Sequence, residues 1–197
     1  MGQDSQGGSR VAIVGRGVRC SIAESVADFA AALREGRSGI RVRADARPRE
    51  PRLAARVEGA DFAAWLETLA PLEPELWGRA RKVLKNAPRG TRLGVMAAVE
   101  AWREVGAPAA MADRTGLIVA GSNLNQDYLA DNILAVASEG RRPNPKYALS
   151  YSDSNYVGCI SEILGLRGPG STIGAASASG NAALFHAWHW VRSGVVD

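Results

Sequence analysis

The residues best suited to chemistry lie near the end of the chain, in the run Thr172-Ile-Gly-Ala-Ala-Ser177-Ala-Ser179-Gly180-Asn181. This run is typical of a short apolar strand, a tight turn of small residues and a helix that begins near Ser179. A side chain at such a junction lies beside free backbone N–H groups and the positive end of a helix, which favour negative charge. The environment suits a nucleophile or an oxyanion hole. Ser177 is therefore either a reactive hydroxyl or one of the small residues that a tight strand-to-helix turn needs.

The histidines and cysteines do not have the spacing of a metal site. His186 and His189 share a helix face, and Asp197 is the only other ligand type near them in sequence. We therefore expect both histidines to pack in a core or an interface. Cys20 and Cys159 have neither metal nor redox spacing, and we interpret them as structural. The sequence predicts no metal and no cofactor.

Two familiar site motifs are also excluded. The junction Ala175-Ala-Ser177-Ala-Ser179 is not the Gly-x-Ser-x-Gly turn of the Ser-His-Asp hydrolases. Gly15-x-Gly17 is followed by Cys20, where a dinucleotide fingerprint has Gly or Ala. The sequence therefore favours neither of these enzyme classes.

The elements that must position Ser177 alternate between strands and helices, which predicts an α/β protein with a mostly parallel or mixed sheet. The unbroken apolar run 116–120 is typical of a central, fully buried strand. The last helix is apolar nearly all round and is expected in the interior. Ser25 and Thr91 are candidate N-caps. Strands are predicted at 11–14, 116–120 and 171–174, helices at 25–34, 61–70, 91–105, 125–138, 154–164 and 179–193, and an extended or looped segment at 36–60.

Composition limits the class of protein. The chain has 197 residues, of which 46% are hydrophobic and 22% charged, as in one globular domain. We expect residues 1–10 to be a flexible tail, and we see no signal peptide or membrane-spanning run, so a cytoplasmic location is expected.

Residues 34–56 are rich in arginine, which indicates a solvated loop or, alternatively, a landing surface for an acidic partner. They lack the interleaved aromatic residues of a nucleic-acid site, so no nucleic-acid partner is expected.

Several segments in order along the chain carry a resemblance to a known family. Together with the Ser177 run they resemble the β-ketoacyl synthases, the condensing enzymes of fatty-acid and polyketide assembly, whose nucleophile motif is roughly Thr-Val-x-Thr-Ala-Cys-Ala-Ser-Gly. The resemblance implies the thiolase-like αβαβα fold, of which residues 11–197 are the N-terminal half of the ketosynthase body, and it implies a homodimer. The family's catalytic histidines belong to the second half. The segments are Val11-Ala-Ile-Val-Gly15-Arg-Gly17-Val, Phe29 with Leu33-Arg-Glu-Gly36-Arg-Ser38-Gly39-Ile40, Gly116-Leu-Ile-Val-Ala-Gly121-Ser122, Ser161-Glu-Ile-Leu-Gly165-Leu-Arg-Gly168-Pro169 and Gly194-Val-Val-Asp197.

Ser177 stands where this family has its catalytic cysteine. A thiol at a helix N-terminus ionises readily and can hold an acyl chain, whereas a serine hydroxyl needs a dedicated base. Decarboxylation of a malonyl group needs no covalent nucleophile, only a dry pocket and donors for the enolate oxygen. Ketosynthase-like proteins with serine here are known as decarboxylases that convert malonyl–carrier protein to acetyl–carrier protein in polyketide β-branching. The resemblance to that subgroup implies the same reaction for this chain, with acyl carrier protein as the partner.

The resemblance also implies a substrate pocket. Asn123 and Leu124, after the predicted strand 116–120, and Ser179 are the candidate substrate-binding residues, and Leu124 would help to set the accepted chain length. From the residues alone, the loop at Asn123, Leu124 and Asn125 is equally well a surface loop, and the family has glycines where the two asparagines stand. Two other functions remain open: a condensing β-ketoacyl synthase, including an engineered Cys-to-Ser trap, and a catalytically silent partner like a chain-length factor.

Overall fold

A computed structural model describes residues 10–44, 51–106 and 109–197 of the protein. The predicted tail therefore lies outside the described residues, except Arg10. Two short 3-10 turns span Ala109–Arg114 and Ala176–Ala178. The helices are α1 (Val26–Arg34), α2 (Phe62–Leu69), α3 (Pro74–Leu84), α4 (Arg89–Val105), α5 (Gln126–Glu139), α6 (Tyr147–Ser150), α7 (Ser154–Leu164) and α8 (Ser179–Arg192), and the strands are β1 (Ile40–Val42), β2 (Leu53–Ala55), β3 (Leu117–Ala120) and β4 (Gly170–Ile173).

The helix starts follow capping chemistry in two places and depart from prediction in two others. Ser25 caps α1 as predicted, because its hydroxyl accepts the Asp28 N–H at 3.1 Å. Asp61 caps α2 in the same way. Thr91 is not a cap: α4 begins earlier, and the Thr91 side chain is fully buried inside the helix. Helix α3 was not predicted at all, although Pro74 in its first turn is a common helix start.

The apolar core lies among α2, α3, α4 and α7. Its fully buried side chains include Leu69, Leu84, Val95, Val99 and Ile163. In the helix predicted at 91–105, Val95, Ala98, Val99 and Trp102 fall on one face, and this apolar face packs in or against the cluster. Burying each such aliphatic side chain contributes about 1.5–3 kcal/mol, so the core is the main support of everything built on it.

The strands that carry the candidate site form a parallel pair. Strand β3 pairs with β4 from Leu117 opposite Gly170 to Ala120 opposite Ile173. Helices α7 and α8 both pack against this pair. The predicted strand at 116–120 is therefore confirmed, but it is half-buried rather than fully buried. Strands β1 and β2 form a separate antiparallel hairpin inside the segment predicted to be extended or looped.

The predicted strand at 11–14 is wrong. Ile13 and Val14 are 75% and 67% exposed, and no strand in the described segments pairs with them. Side chains of α4 hold the chain that follows instead: Glu100 accepts the N–H groups of Val18 at 3.0 Å and Val26 at 2.9 Å. A β-rich sequence can satisfy its backbone as a strand only beside a neighbouring ladder, and the described residues provide none here.

Helix α8 does not have the fully buried surroundings predicted for it. Leu184, Phe185 and Trp188 are 57%, 63% and 43% exposed, since the β3–β4 pair covers only part of the helix. His186 and His189 are exposed as well, so core packing of the histidines is wrong for this chain, and an interface role stays a prediction. None of the helices in the described segments is both long and apolar enough to cross a membrane.

Candidate active site at the ends of the parallel strands

The carboxyl ends of β3 and β4 bring the two predicted site segments together. The Gly121 N–H donates to the Ile173 carbonyl at 3.0 Å, which extends the ladder beyond the last paired residues. A Cβ atom added to Gly174 would lie 3.0 Å from the Ser122 hydroxyl oxygen. The loop with Asn123 and Leu124 therefore leaves the sheet beside the turn that leads to Ser177, as parallel strands require of two segments that follow them.

The turn at Ser177 has the geometry of a strained strand-to-helix junction. Ala176 has φ +46°, in the left-handed region that residues with a Cβ adopt at a cost of about 1–3 kcal/mol. Ser177 follows it in the 3-10 turn that runs into α8, and its side chain is exposed. Among the residues described, neither the N–H nor the hydroxyl of Ser177 has a hydrogen-bond partner. The backbone N–H and the hydroxyl of Ser177 are thus both available to a substrate at the positive end of α8.

Ser179 holds this junction in shape. Its side chain is only 5% exposed, and its hydroxyl accepts the Ala175 N–H at 2.9 Å and donates to the Ala176 carbonyl at 2.7 Å. These two bonds bridge the residues on either side of the left-handed turn. The predicted substrate-binding residue therefore has its hydroxyl occupied within the turn.

The loop after β3 is fixed by side chains from other elements. Asn123 has φ +58°, a conformation that asparagine tolerates better than most residues. The carboxylate of Asp153 accepts the N–H of Asn123 at 2.9 Å and that of Leu124 at 2.7 Å. Asn123 itself is exposed and Leu124 is half-buried.

A buried polar network continues from this loop into the helices. The Asn125 side chain is 3% exposed, donates to the Ser150 carbonyl at 2.9 Å and accepts from the Thr91 hydroxyl at 3.3 Å. The Tyr156 hydroxyl donates to the Leu124 carbonyl at 3.3 Å. Burial raises the pKa of Tyr156 to about 12, so the phenol stays protonated and remains a donor. Hydrogen bonds with Thr91, Ser150 and Tyr156 thus help to fix residues 123–125, and of these three only Asn123 is exposed.

A cleft lies behind the loop. It has a volume of about 700 Å³ and runs between residues 55–59, the start of α4 and the start of α5. Leu124 and Asn125 line it, whereas Ser177 does not. Leu124 is therefore the residue of the loop that borders both this cleft and the sheet end near Ser177.

Sequence reasoning missed Asp153 and Tyr156 as parts of the site. One signal was present: Gly90 and Gly94 lie four residues apart in a helix, where glycine is unfavourable without a packing reason. A Cβ atom at either position would lie within 3.0 Å of the Tyr156 ring or hydroxyl. The two glycines let α4 approach Tyr156 closely, and this makes room for its bond to Leu124.

The remaining candidates do not converge on the site. Cys159 is half-buried, and burial together with the nearby Glu162 carboxylate raises the pKa of its thiol. Within the described segments no three His, Cys, Asp or Glu side chains gather as metal ligands. Of the arginine-rich segment, residues 45–50 lie outside the description, and Arg37 forms an exposed ion pair with Glu35. Its role as a landing surface stays a prediction.

Comparison with known proteins identifies the family. Residues 8–197 match the family described as the β-ketoacyl synthase, N-terminal domain. The chain belongs to the β-ketoacyl synthase family. It is 31% identical over 189 residues to the polyketide biosynthesis malonyl-ACP decarboxylase PksF of Bacillus subtilis strain 168, which covers 95% of the chain and 42% of that relative.

Solved structures show the same β-ketoacyl synthase fold. The ishigamide ketosynthase/chain length factor superposes with a TM-score of 0.75 at 22% identity, over 94% of this chain and 44% of that one. A β-ketoacyl synthase from Burkholderia phymatum STM815 gives a TM-score of 0.70 at 20% identity, over 95% and 44%. The complex of AntDE with AntF, described as a type II acyl-carrier protein with its ketosynthase, gives 0.66 at 15% identity, over 94% and 47%. The predicted α/β, thiolase-like fold is confirmed, and the chain spans less than half the length of these relatives.

Proposed function

We propose that the protein decarboxylates a malonyl group carried as a thioester on an acyl carrier protein and leaves acetyl–carrier protein. The observation that carries the proposal is the Ser177 junction: an exposed serine in the place of the family's cysteine, with an unused N–H at the start of α8. The 31% identity to a protein named as a malonyl-ACP decarboxylase supports the same reaction.

The geometry of the Ser177 junction is compatible with each step of the decarboxylation. The bond between C2 and the carboxylate breaks, carbon dioxide leaves, and the electron pair forms an enolate whose negative charge lies on the thioester oxygen. The Ser177 N–H and the positive end of α8 stabilise that oxygen, while the hydroxyl orients the thioester. A proton from water then adds to C2 and gives the acetyl group. No step needs Ser177 to become acylated, so serine is sufficient where condensation would need a cysteine.

The histidines of this chain do not supply the remaining groups. His186 lies seven residues beyond Ser179 on α8, about 10 Å along the axis at 1.5 Å per residue, and it is exposed. This placement supports the implication of the resemblance that the catalytic histidines come from the second half of the ketosynthase body.

The partners and setting follow from the same proposal. The substrate is an acidic acyl carrier protein with a phosphopantetheine-linked malonyl group, and the protein works as a cytoplasmic homodimer in the synthesis of a polyketide antibiotic. Carrier recognition is supported by the likeness to a ketosynthase solved with its acyl-carrier protein. No nucleic-acid or membrane partner is part of the proposal.

The test uses the protein at its natural length with malonyl-loaded carrier, whose intact mass is followed over time. We expect loss of carbon dioxide and formation of acetyl–carrier, and a slower reaction in Ser177→Ala. Ser193→Ala is the matched control, because Ser193 lies at the other end of α8 and bonds only to carbonyls of that helix. A β-ketoacyl product in the presence of an acyl donor would instead show a condensing enzyme. An unchanged carrier would contradict the proposal and favour a silent partner.

A further inference from the structure

Asp153 binds a loop rather than the helix that it precedes. It stands at the N-cap position of α7, but its side chain makes no capping bond there. Both carboxylate oxygens turn to the loop after β3 and accept the N–H groups of Asn123 and Leu124. Hydrogen bonds to an ionised carboxylate are about twice as strong as neutral ones, so this contact fixes two consecutive peptide groups.

Leu124 is held on both sides of its own α-carbon. Asp153 fixes its N–H, and the Tyr156 hydroxyl donates to its carbonyl. The preceding Asn123 is held in the left-handed region. With both peptide groups bound to α7, the direction in which the Leu124 side chain leaves the backbone is set by that helix.

The Leu124 side chain lies between the end of β3 and the cleft. Its Cδ2 atom would be 2.4 Å from a Cβ atom at Gly121, so it covers the end of β3 directly. On the other side Leu124 lines the cleft of about 700 Å³. Ser122 of the same loop faces Gly174, three residues before Ser177. Leu124 therefore stands between the end of β3, which lies beside the turn leading to Ser177, and the cleft.

We propose that Asp153 is a positioning residue that holds Leu124 as a barrier, so that the site accepts malonyl and excludes acyl groups with a larger substituent at C2. This inference rests on the proposed function and adds substrate selection to it. When the Asp153 bonds are lost, the Leu124 backbone is no longer fixed, so its side chain can move aside and the cleft behind it becomes available to a longer group.

The test measures the ratio of kcat/KM for two substrates, which a loss of protein stability alone cannot change. Protein of natural length is given malonyl-carrier and butylmalonyl-carrier, and kcat/KM is measured for each. Asp153→Asn keeps the shape of the side chain but replaces one acceptor by an NH2 group that faces an N–H. We expect it to lower the preference for malonyl by about tenfold, since displacements of about 1 Å in a site can change rates by on the order of 10²-fold. A smaller folded fraction lowers both constants equally and leaves the ratio unchanged.

Two further variants make the assignment specific. Leu124→Ala should lower the same ratio, and combining it with Asp153→Asn should add little, because both changes remove one barrier. Asp113→Asn is the matched control: it removes an exposed ion pair with Arg167 at the opposite end of the parallel strands and should keep the wild-type ratio. An unchanged ratio in Asp153→Asn, with normal wild-type decarboxylation, overturns the inference and leaves the proposed function intact.

A second measurement does not depend on the reaction. Amide hydrogen exchange of the peptide that contains Asn123 and Leu124 should become faster in Asp153→Asn and stay unchanged in Asp113→Asn. If the wild-type protein releases no carbon dioxide, the proposed function fails, but the exchange measurement can still be made. Unchanged exchange at these two amides in Asp153→Asn would overturn the role of Asp153 in holding the loop.

Discussion

Gly121 and Ile173 are joined by a hydrogen bond of 3.0 Å just past the last paired residues of the parallel strands. This bond aligns the loop that holds Leu124 with the turn that holds Ser177, although neither segment is near the other in sequence. Gly121 has φ +150°, which a residue with a side chain would rarely adopt. The relative position of the two candidate site segments is therefore set by backbone pairing rather than by the side chains of the site.

Replacing Ser177 by cysteine tests the electrostatics of the junction. A thiol at the positive end of α8 should have a lowered pKa and react with iodoacetamide about tenfold faster than the native thiols. Cys159 is a suitable internal reference, because burial and Glu162 raise the pKa of its thiol. Alkylation is located by mass spectrometry of peptides from the protein of natural length. If position 177 reacts no faster than Cys159, the junction does not stabilise an anion, and the proposed role in holding the enolate loses its basis.

Ser179→Ala should loosen the turn before α8. The change leaves the half-buried Ala175 N–H without its acceptor, at a cost of about 1–3 kcal/mol in the free energy of unfolding. Urea denaturation measures this loss, and decarboxylation should slow in parallel because Ala176 is no longer held in its left-handed conformation. Ser193→Ala, the same substitution at the exposed end of α8, should change stability by less than about 0.5 kcal/mol. Equal effects of the two substitutions on the free energy of unfolding would mean that the Ser179 hydroxyl does not stabilise the turn before α8.

Gly90→Ala should destabilise the protein through Tyr156. The added Cβ would lie 2.4 Å from the Tyr156 hydroxyl and 3.0 Å from the Leu124 carbonyl, and such overpacking costs about 1–3 kcal/mol. Gly78→Ala is the contrasting variant, because a Cβ at this position in α3 meets nothing within 4 Å. It should stabilise the protein by about 0.5–1 kcal/mol through helix propensity alone. Denaturation midpoints of the two variants should therefore move in opposite directions from the wild type, and a shared direction would contradict the close approach of α4 to Tyr156.

Tyr156 predicts a loss of stability at alkaline pH. Its pKa is about 12 in the folded protein against 10.0 for the free side chain, mainly because of burial. Between these values the unfolded chain gives up the phenolic proton first, so the stabilisation is complete below about pH 10 and is lost as the pH rises toward about 12. The full effect is about 1–3 kcal/mol. The free energy of unfolding of the wild type should fall more steeply over this range than that of Tyr156→Phe, and parallel curves would contradict the prediction.

The strands and helices next to Ser177 could be predicted because they carry local signals. The small residues around Ser177, the N-cap at Ser25 and the glycine that ends α7 each act within a few residues of themselves. The order of the family segments along the chain also predicted the fold that these elements form. The sequence alone therefore points to Ser177 as a candidate site residue.

What could not be predicted depends on partners far apart in sequence. The apolar segment at Ile13 satisfies the pattern of a strand, but whether it becomes one depends on a neighbouring ladder. Thr91 has the side chain of a helix cap, yet the network around Asn125 and Asn155 buries it inside α4. Asp153 has no local signal, because an acidic residue before a helix ordinarily predicts a cap. Its bond to a loop thirty residues away becomes visible only in the structure.

The parallel pairing of β3 and β4 also has a consequence for when the site can form. Leu117 pairs with Gly170, 53 positions further along the chain, with α5, α6 and α7 between them. Closing so long a connection costs chain entropy before the pairing repays it, so non-local parallel strands assemble slowly. During synthesis the ribosome must pass Ile173 before the two loops can meet, whereas α2 and α3 are neighbours in the chain and can pack on each other earlier. The candidate site should thus assemble late in folding, after the local contact between α2 and α3 has formed.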